Sequence, residues 1–200
     1  MAKALEKRGQ SNLAIHRGDF LKQDFDLELS EKTMTVVANL PYYITAPILE
    51  RLFWQRPLRI QRAVLMMQDE VAQRVCRPAS RLAGALSYIA GAFFEAEYLF
   101  EVAPSCFSPP PKVTSAVIAL TPKSEWFDKC PQKQRVYERL VKASFQARRK
   151  QLGRSLRALR ADASELLEAS GIDPRRRPET LSVQEFWTLA RIWYDRESTP

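Results

Sequence analysis

Between Thr35 and Thr121 the chain alternates short β-branched or apolar runs with stretches whose apolar residues recur at helical spacing. That alternation restricts it to an α/β architecture with a parallel sheet. Thr35-Val36-Val37-Ala38 is a run of the kind expected for a strand buried on both faces. Ile60–Gln68, Glu95–Val102 and Ser115–Thr121 read as further strands. Asn12–His16 reads as a short one ahead of a turn at Arg17-Gly18-Asp19. Thr45 is expected to cap a helix with Pro47 in its first turn and Ile48, Leu49, Leu52 and Phe53 as the buried stripe. A second helix is expected to begin near Asp69-Glu70, and Leu82–Phe94 reads as a mostly buried third. Residues 2–9 read as the end of a helix, and 22–34 as a polar loop or weak helix.

Past Lys123 the pattern turns wholly helical. Arg135, Arg139, Lys142, Gln146 and Arg149 share one polar face, and Tyr137, Leu140, Val141 and Ser144 lie on another. Ser182 and Glu185 have the spacing of a capping box, with Leu181 and Phe186 as its hydrophobic staple. Phe186, Leu189, Ala190 and Trp193 then form the stripe of a final helix. The expected organisation is an α/β domain over 1–122 followed by a small all-α domain over 123–200.

Composition narrows the functional classes. The chain has 46% hydrophobic and 27% charged residues, as expected of a soluble globular protein. The near-apolar run Leu82–Phe94 is too short to span a bilayer, and MAKALEKRGQ lacks the apolar core of a secretory signal, so a cytoplasmic location is expected. Three scattered cysteines and a single histidine give no metal-ligand spacing, and no metal is expected. The net charge of +8 is uneven: 123–200 holds 17 basic and 11 acidic residues, and seven basic residues with no acid lie between Lys142 and Arg160. A polyanionic partner and a solvated helix face both fit that concentration.

The residues with the most chemical content are Asn39-Leu40-Pro41-Tyr42, directly after a strand. Ligands in open α/β sheets sit beyond the carboxyl ends of strands. A planar exocyclic amine is a poor nucleophile because its lone pair is delocalised into the base. The Asn39 side-chain oxygen and the Leu40 carbonyl would orient its two N–H groups. Pro41 stiffens the turn and removes a competing donor. Tyr42 offers a ring on which an extruded base stacks. An ordinary strand-to-helix turn is the other reading of these four residues.

Four ordered segments carry a resemblance that bears on this choice. They are ANLPYYIT with the following MMQDEVAQRV, Cys106-Phe107-Ser108-Pro109-Pro110-Pro111-Lys112-Val113-Thr114-Ser115-Ala116-Val117, Ser144-Phe145-Gln146-Ala147-Arg148-Arg149-Lys150, and Gly171-Ile172-Asp173-Pro174 with Arg177-Pro178-Glu179-Thr180-Leu181-Ser182. Together they resemble the KsgA-type small-subunit rRNA adenine N6-dimethyltransferases. One local departure is Ser80-Arg81-Leu82-Ala83-Gly84, where the family often has an aromatic residue before the glycine. The resemblance implies a Rossmann-like class I methyltransferase domain using S-adenosylmethionine, and a helical domain that meets the small ribosomal subunit. The target it implies is a pair of adjacent adenines in small-subunit rRNA. Asn39 and Leu40 would then accept from the target amine, with Tyr42 and Phe107 as aromatic walls. Asp19, Phe20 and Asn39 would face the methyl donor. Lys112, Lys142, Arg148, Arg149, Lys150, Arg154 and Arg157 would contact RNA.

The resemblance also implies a first strand, a Gly-x-Gly-x-Gly loop and a second strand ending in an acidic residue, none of which this sequence contains. Its six glycines, at 9, 18, 84, 91, 153 and 171, form no Gly-x-Gly. The sheet is therefore expected to lack two strands, and the chain alone to bind the donor weakly. Two other functions stay open at this level. One is a non-catalytic RNA-binding or ribosome-assembly factor that keeps the docking surface. The other is a macrolide-resistance methyltransferase acting on large-subunit rRNA, against which the PPPKV and GIDP segments argue.

Overall fold

The protein is described here by a computed structural model that covers residues 12–22, 33–55, 60–123, 130–146 and 150–198. The chain divides into two compact units, Met1–Lys32 and Thr33–Pro200. In the first, Asn12–His16 forms no strand. A five-residue segment is stable as a strand only in a ladder, and among the described residues it has no ladder partner. The turn that follows is held by Asp19, which accepts the Leu21 N–H at its Oδ1 (2.9 Å) and the Lys22 N–H at its carbonyl (3.0 Å).

The second unit holds a four-stranded sheet. In chain order its elements are β1 (Met34–Asn39), α1 (Thr45–Gln55), β2 (Ile60–Gln68), α2 (Asp69–Cys76), α3 (Ala85–Phe93), β3 (Phe94–Val102), β4 (Ser115–Pro122), α4 (Pro131–Gln146), α5 (Leu152–Leu156), α6 (Ala163–Ala169) and α7 (Val183–Ser198). The strand order is β1-β2-β4-β3. The α/β class stands, but the sheet is mixed rather than parallel: β1 and β2 are parallel, while β4 runs antiparallel to both β2 and β3. The reason lies between β3 and β4. Only the short Pro104–Cys106 turn and a proline-rich loop join them, and a parallel return needs a longer crossover, usually a helix.

The strand buried on both faces is β4, whose first six residues are all buried, and not β1. β1 is an edge of this sheet. Thr35, Val37 and Asn39 on one of its faces are exposed, Val37 by 77%. β-branched residues favour strands of either kind, so the run in the sequence identifies the strand but not how many faces are covered. The opposite edge, β3, carries exposed Glu95, Glu97 and Glu101 and an irregularity between Tyr98 and Phe100, devices that discourage further pairing.

Two helix boundaries differ from expectation. Thr45 does not cap α1: the 3-10 turn Tyr42–Ile44 runs straight into it, so Thr45 is itself helical and its hydroxyl donates to the Pro41 carbonyl (3.0 Å). Behind it Ile48 and Leu49 are buried and Leu52 is half-buried. The buried helix begins at Ala85 rather than Leu82, because Arg81 and Leu82 turn and the Gly84 N–H is taken by the Ser87 hydroxyl (3.0 Å). It ends at Phe93, where Phe94 starts β3.

In the apolar run read as a mostly buried helix, every residue from Ser87 to Phe93 of α3 is buried, Ala85 and Leu86 are half-buried, and Leu82 ahead of the helix is exposed. The helix meets α1, α2 and β3, and also α4 and α7. Tyr88 of α3 packs its ring against Phe145 of α4 and Phe186 of α7, with centroids 5.1 and 5.0 Å apart. The helices from α4 onward thus share a core with the sheet, within one unit. The apolar faces read from the sequence are the buried ones: Tyr137, Leu140, Val141 and Ser144 on α4, and Phe186, Leu189, Ala190 and Trp193 on α7. The capping box is present, Ser182 N–H donating to Glu185 (2.6 Å) and Glu185 N–H to the Ser182 hydroxyl (3.1 Å).

Candidate functional site

The corner at Asn39-Leu40-Pro41-Tyr42 forms where β1 leaves the sheet. Leu40 still reaches the neighbouring strand, its N–H donating to the Met66 carbonyl (2.9 Å), and its side chain is buried. The chain then turns. The Pro41 carbonyl accepts both the Ile44 N–H (3.1 Å) and the Thr45 hydroxyl (3.0 Å), which closes the 3-10 turn that carries Tyr42. Among the described residues, neither the Asn39 side-chain amide nor the Leu40 carbonyl has a hydrogen-bond partner, and Asn39 is exposed. Two acceptors are therefore available beyond the carboxyl end of the strand.

Tyr42 is half-buried, and its hydroxyl lies 2.5 Å from the Ser115 hydroxyl. Ser115 is the first residue of β4, pairs with Gln68 at the end of β2, and is fully buried. This bond joins the turn after β1 to the strand entered by the 107–114 loop. Phe107 opens that loop, half-buried in extended backbone after the Pro104–Cys106 turn, with its N–H on the Pro104 carbonyl (3.1 Å). Lys112 in the same loop is exposed. A hydrogen bond from the Asp69 N–H to the Thr114 carbonyl (3.0 Å) fixes the loop's exit. Asp69 in turn accepts from Tyr98 (2.6 Å) and Gln73 (2.7 Å). Burial is the main cause that raises the Tyr98 phenol well above its ordinary value, helped by the Asp69 carboxylate. Ser115 and Asp69 are the residues that sequence reasoning missed, and both already stood inside the segments that carried the resemblance.

The six expected RNA-contacting cations past Lys123 fall into three groups. Lys150, Arg154 and Arg157 are exposed and have no ion-pair partner among the described residues. Arg148 and Arg149 lie outside the described residues. Lys142 is half-buried between Glu50 (3.0 Å) and Glu138 (2.6 Å). Burial pulls its pKa down, but hydrogen bonds to Glu138 and Glu50 outweigh that and leave it raised. A cation already matched by two carboxylates is a poor contact for phosphate. The helical face of which Lys142 forms part did not reveal the acids that meet it, since Glu50 comes from α1.

Asp19 and Phe20, expected to face the donor, belong to the first unit. Asp19 is exposed and Phe20 half-buried. The described residues do not make a complete donor site: no glycine-rich turn offers backbone N–H groups for close approach, and the two acceptors described at the corner suit an amine. No group of three or more His, Cys, Asp or Glu converges among the described residues, and no described helix is long and apolar enough to cross a membrane.

An open α/β sheet with an acceptor corner and an anchored aromatic ring beyond a strand's carboxyl end is the architecture of a Rossmann-like methyltransferase that handles a planar base. A profile described as ribosomal RNA adenine dimethylase matches residues 1–195. The chain belongs to that family. It is 40% identical to ribosomal RNA small subunit methyltransferase A of Syntrophotalea carbinolica, covering 94% of this chain and 72% of the relative. Against the protein of the same name in Clostridium botulinum it is 36% identical, covering 95% and 70%. Among solved structures it resembles a dimethyladenosine transferase from Plasmodium falciparum, with a TM-score of 0.74, 25% identity, and 94% of this chain and 74% of that one covered. The 23S rRNA methyltransferase ErmE shares the fold, with a TM-score of 0.67 at 22% identity, covering 96% and 77%.

Proposed function

We propose that this chain carries the target-adenine half of a small-subunit rRNA adenine N6-dimethyltransferase, whose methyl donor in this family is S-adenosylmethionine. The observation that supports this most directly is a pair of acceptors without a partner among the described residues, the Asn39 amide oxygen and the Leu40 carbonyl, next to the anchored Tyr42. The two acceptors take the N–H groups of an extruded adenine and turn its nitrogen lone pair out of conjugation. Tyr42 and Phe107 hold the base between aromatic faces. Rate enhancement on this side of the site is alignment, with little acid–base work. Residues 123–200 serve as the helical, ribosome-contacting part, with Lys150, Arg154 and Arg157 of 123–200, together with Lys112 from the 107–114 loop, on phosphates. A cytoplasmic location follows from that substrate.

Asp19, Phe20 and Asn39 are the residues we assign to the donor. With no glycine-rich loop in its 200 residues, this polypeptide by itself holds the donor weakly. The exposed cations Lys150, Arg154 and Arg157 favour a second reading, in which the chain binds small-subunit RNA without methylating it. Incubation with small-subunit rRNA and labelled donor separates the two. Methyl incorporation above background supports the enzyme, and binding without incorporation supports the factor. The adenine corner has its own test. The chain should bind an rRNA hairpin with two adjacent adenines several-fold more tightly than the same hairpin carrying dimethylated adenines, which offer no N–H. Equal affinity would remove the corner from the reading.

A further inference from the structure

We propose that Ser115 is a positioning residue for the adenine corner: its buried hydroxyl fixes the Tyr42 ring in the plane on which the extruded base stacks. The inference rests on the reading of that corner given above. Ser115 is the one polar residue among the six buried residues that open β4, the others being Ala116, Val117, Ile118, Ala119 and Leu120. A buried hydroxyl without a partner costs stability, and an alanine there would suit the apolar strand. The structure instead spends this position on one long-range bond, to a tyrosine 73 residues away. Tyr42 is half-buried, and its hydroxyl meets the fully enclosed Ser115 hydroxyl at 2.5 Å. What the bond adds is orientation.

The surroundings make that orientation rigid at both ends. The Tyr42 backbone is held in its 3-10 turn by two hydrogen bonds to the Pro41 carbonyl, one from the fully enclosed Thr45 hydroxyl. Ser115 is held in the ladder opposite Gln68, and the residue before it accepts the Asp69 N–H. With its hydroxyl committed to Ser115, Tyr42 presents its ring and not its oxygen to a ligand. A wall held in place before binding loses no rotamer entropy when the base arrives.

The test uses the full chain and an rRNA hairpin with two adjacent adenines, one replaced by 2-aminopurine, whose fluorescence rises when its neighbour leaves the stack. Overall RNA affinity is followed in parallel by anisotropy, so that lost stacking is separated from lost binding. The expectation is that saturating wild-type chain raises the signal, and that Ser115→Ala lowers the equilibrium constant for the extruded state about fivefold, the effect of one ordinary hydrogen bond. Tyr42→Phe should do the same, and the double variant no worse than either. A wild-type signal from Ser115→Ala, with RNA bound, overturns the positioning role alone. No signal from the wild-type chain at full occupancy overturns the corner itself, and the positioning role with it. Should Ser115→Ala prove unfolded by circular dichroism, Tyr42→Phe decides, and a wild-type signal from it overturns the proposal.

Discussion

Tyr88, in the middle of α3, donates its hydroxyl proton to the Leu181 carbonyl at 2.6 Å and shares it with the Pro178 carbonyl at 3.1 Å. The backbone of the same residue accepts from the Tyr137 hydroxyl (2.8 Å). One residue of the helix behind the sheet thus ties down both α4 and the turn leading into α7. Burial keeps the Tyr88 phenol well above its ordinary pKa, so it remains a donor across the working pH range. Tyr88→Phe should lower unfolding free energy by about 1–3 kcal/mol, because two buried carbonyls lose their donor. Urea denaturation followed by tryptophan fluorescence checks this, since Trp187 and Trp193 lie on the helix that would be released.

The cations divide by their partners. Replacing Lys150, Arg154 or Arg157 with Gln should each reduce the slope of log binding constant against log salt by about one for a short rRNA duplex. Lys142→Gln should leave the slope unchanged, because its charge already meets Glu50 and Glu138. It should instead lower stability by about 0.5–1 kcal/mol, the range of a partly exposed pair. Filter binding over a salt series, with thermal melts alongside, distinguishes the two behaviours.

Acid should loosen the start of α7. Partial burial pushes the Glu185 carboxyl up, but Arg176 and the Ser182 N–H and hydroxyl outweigh it and hold its pKa below the ordinary value of 4.5. A carboxylate depressed in the folded state stabilises above its unfolded pKa, and the effect fades as pH falls through the folded one. Glu185→Gln, which keeps the capping-box geometry but loses the charge facing Arg176, should therefore be less stable than the wild type by about 0.5–1 kcal/mol at neutral pH. The gap should narrow as the pH falls below the ordinary value of 4.5 and close once the depressed carboxyl is protonated in the folded state. Denaturation midpoints measured from pH 7 to 3 read it directly.

Two glycines in the C-terminal half should resist replacement for different reasons. Gly171 has φ +74° and ends α6 in a Schellman motif, with Ile172 N–H on Leu167 O and Gly171 N–H on Glu168 O, both 2.9 Å. Gly171→Ala should cost about 1–2 kcal/mol through backbone strain. Gly153 has ordinary backbone, but a Cβ there would sit 3.0 Å from Pro174 Cβ and from Ser164 Oγ. Gly153→Ala should cost about 1–3 kcal/mol through overpacking. Gly171→Asn, which tolerates positive φ, should recover part of the first loss, and larger residues at 153 should deepen the second. Thermal unfolding of the set checks both.

The GIDP segment illustrates what a pattern conveys and what it conceals. As a signature it pointed to a family. In the fold it holds α5 in place, since the Leu152 and Gly153 N–H groups donate to the Arg176 and Pro174 carbonyls, each at 2.9 Å. Arg176 continues the chain of contacts to Glu185, so the start of α5 and the cap of α7 are braced by one short stretch.

Local chemistry written in the sequence was sufficient for the four strands of the sheet, the α7 cap, the apolar faces of α4 and α7, and the corner after β1. Each depends on neighbours in the chain or on simple periodicity. Only the tertiary structure decided that β4, not β1, is covered on both faces, that Lys142 meets carboxylates from another helix, and that Ser115 holds Tyr42. The physical reason is common to all three. Burial, charge and orientation at these positions are set by groups far away in sequence, and a residue type constrains its own conformation more strongly than it constrains its partner.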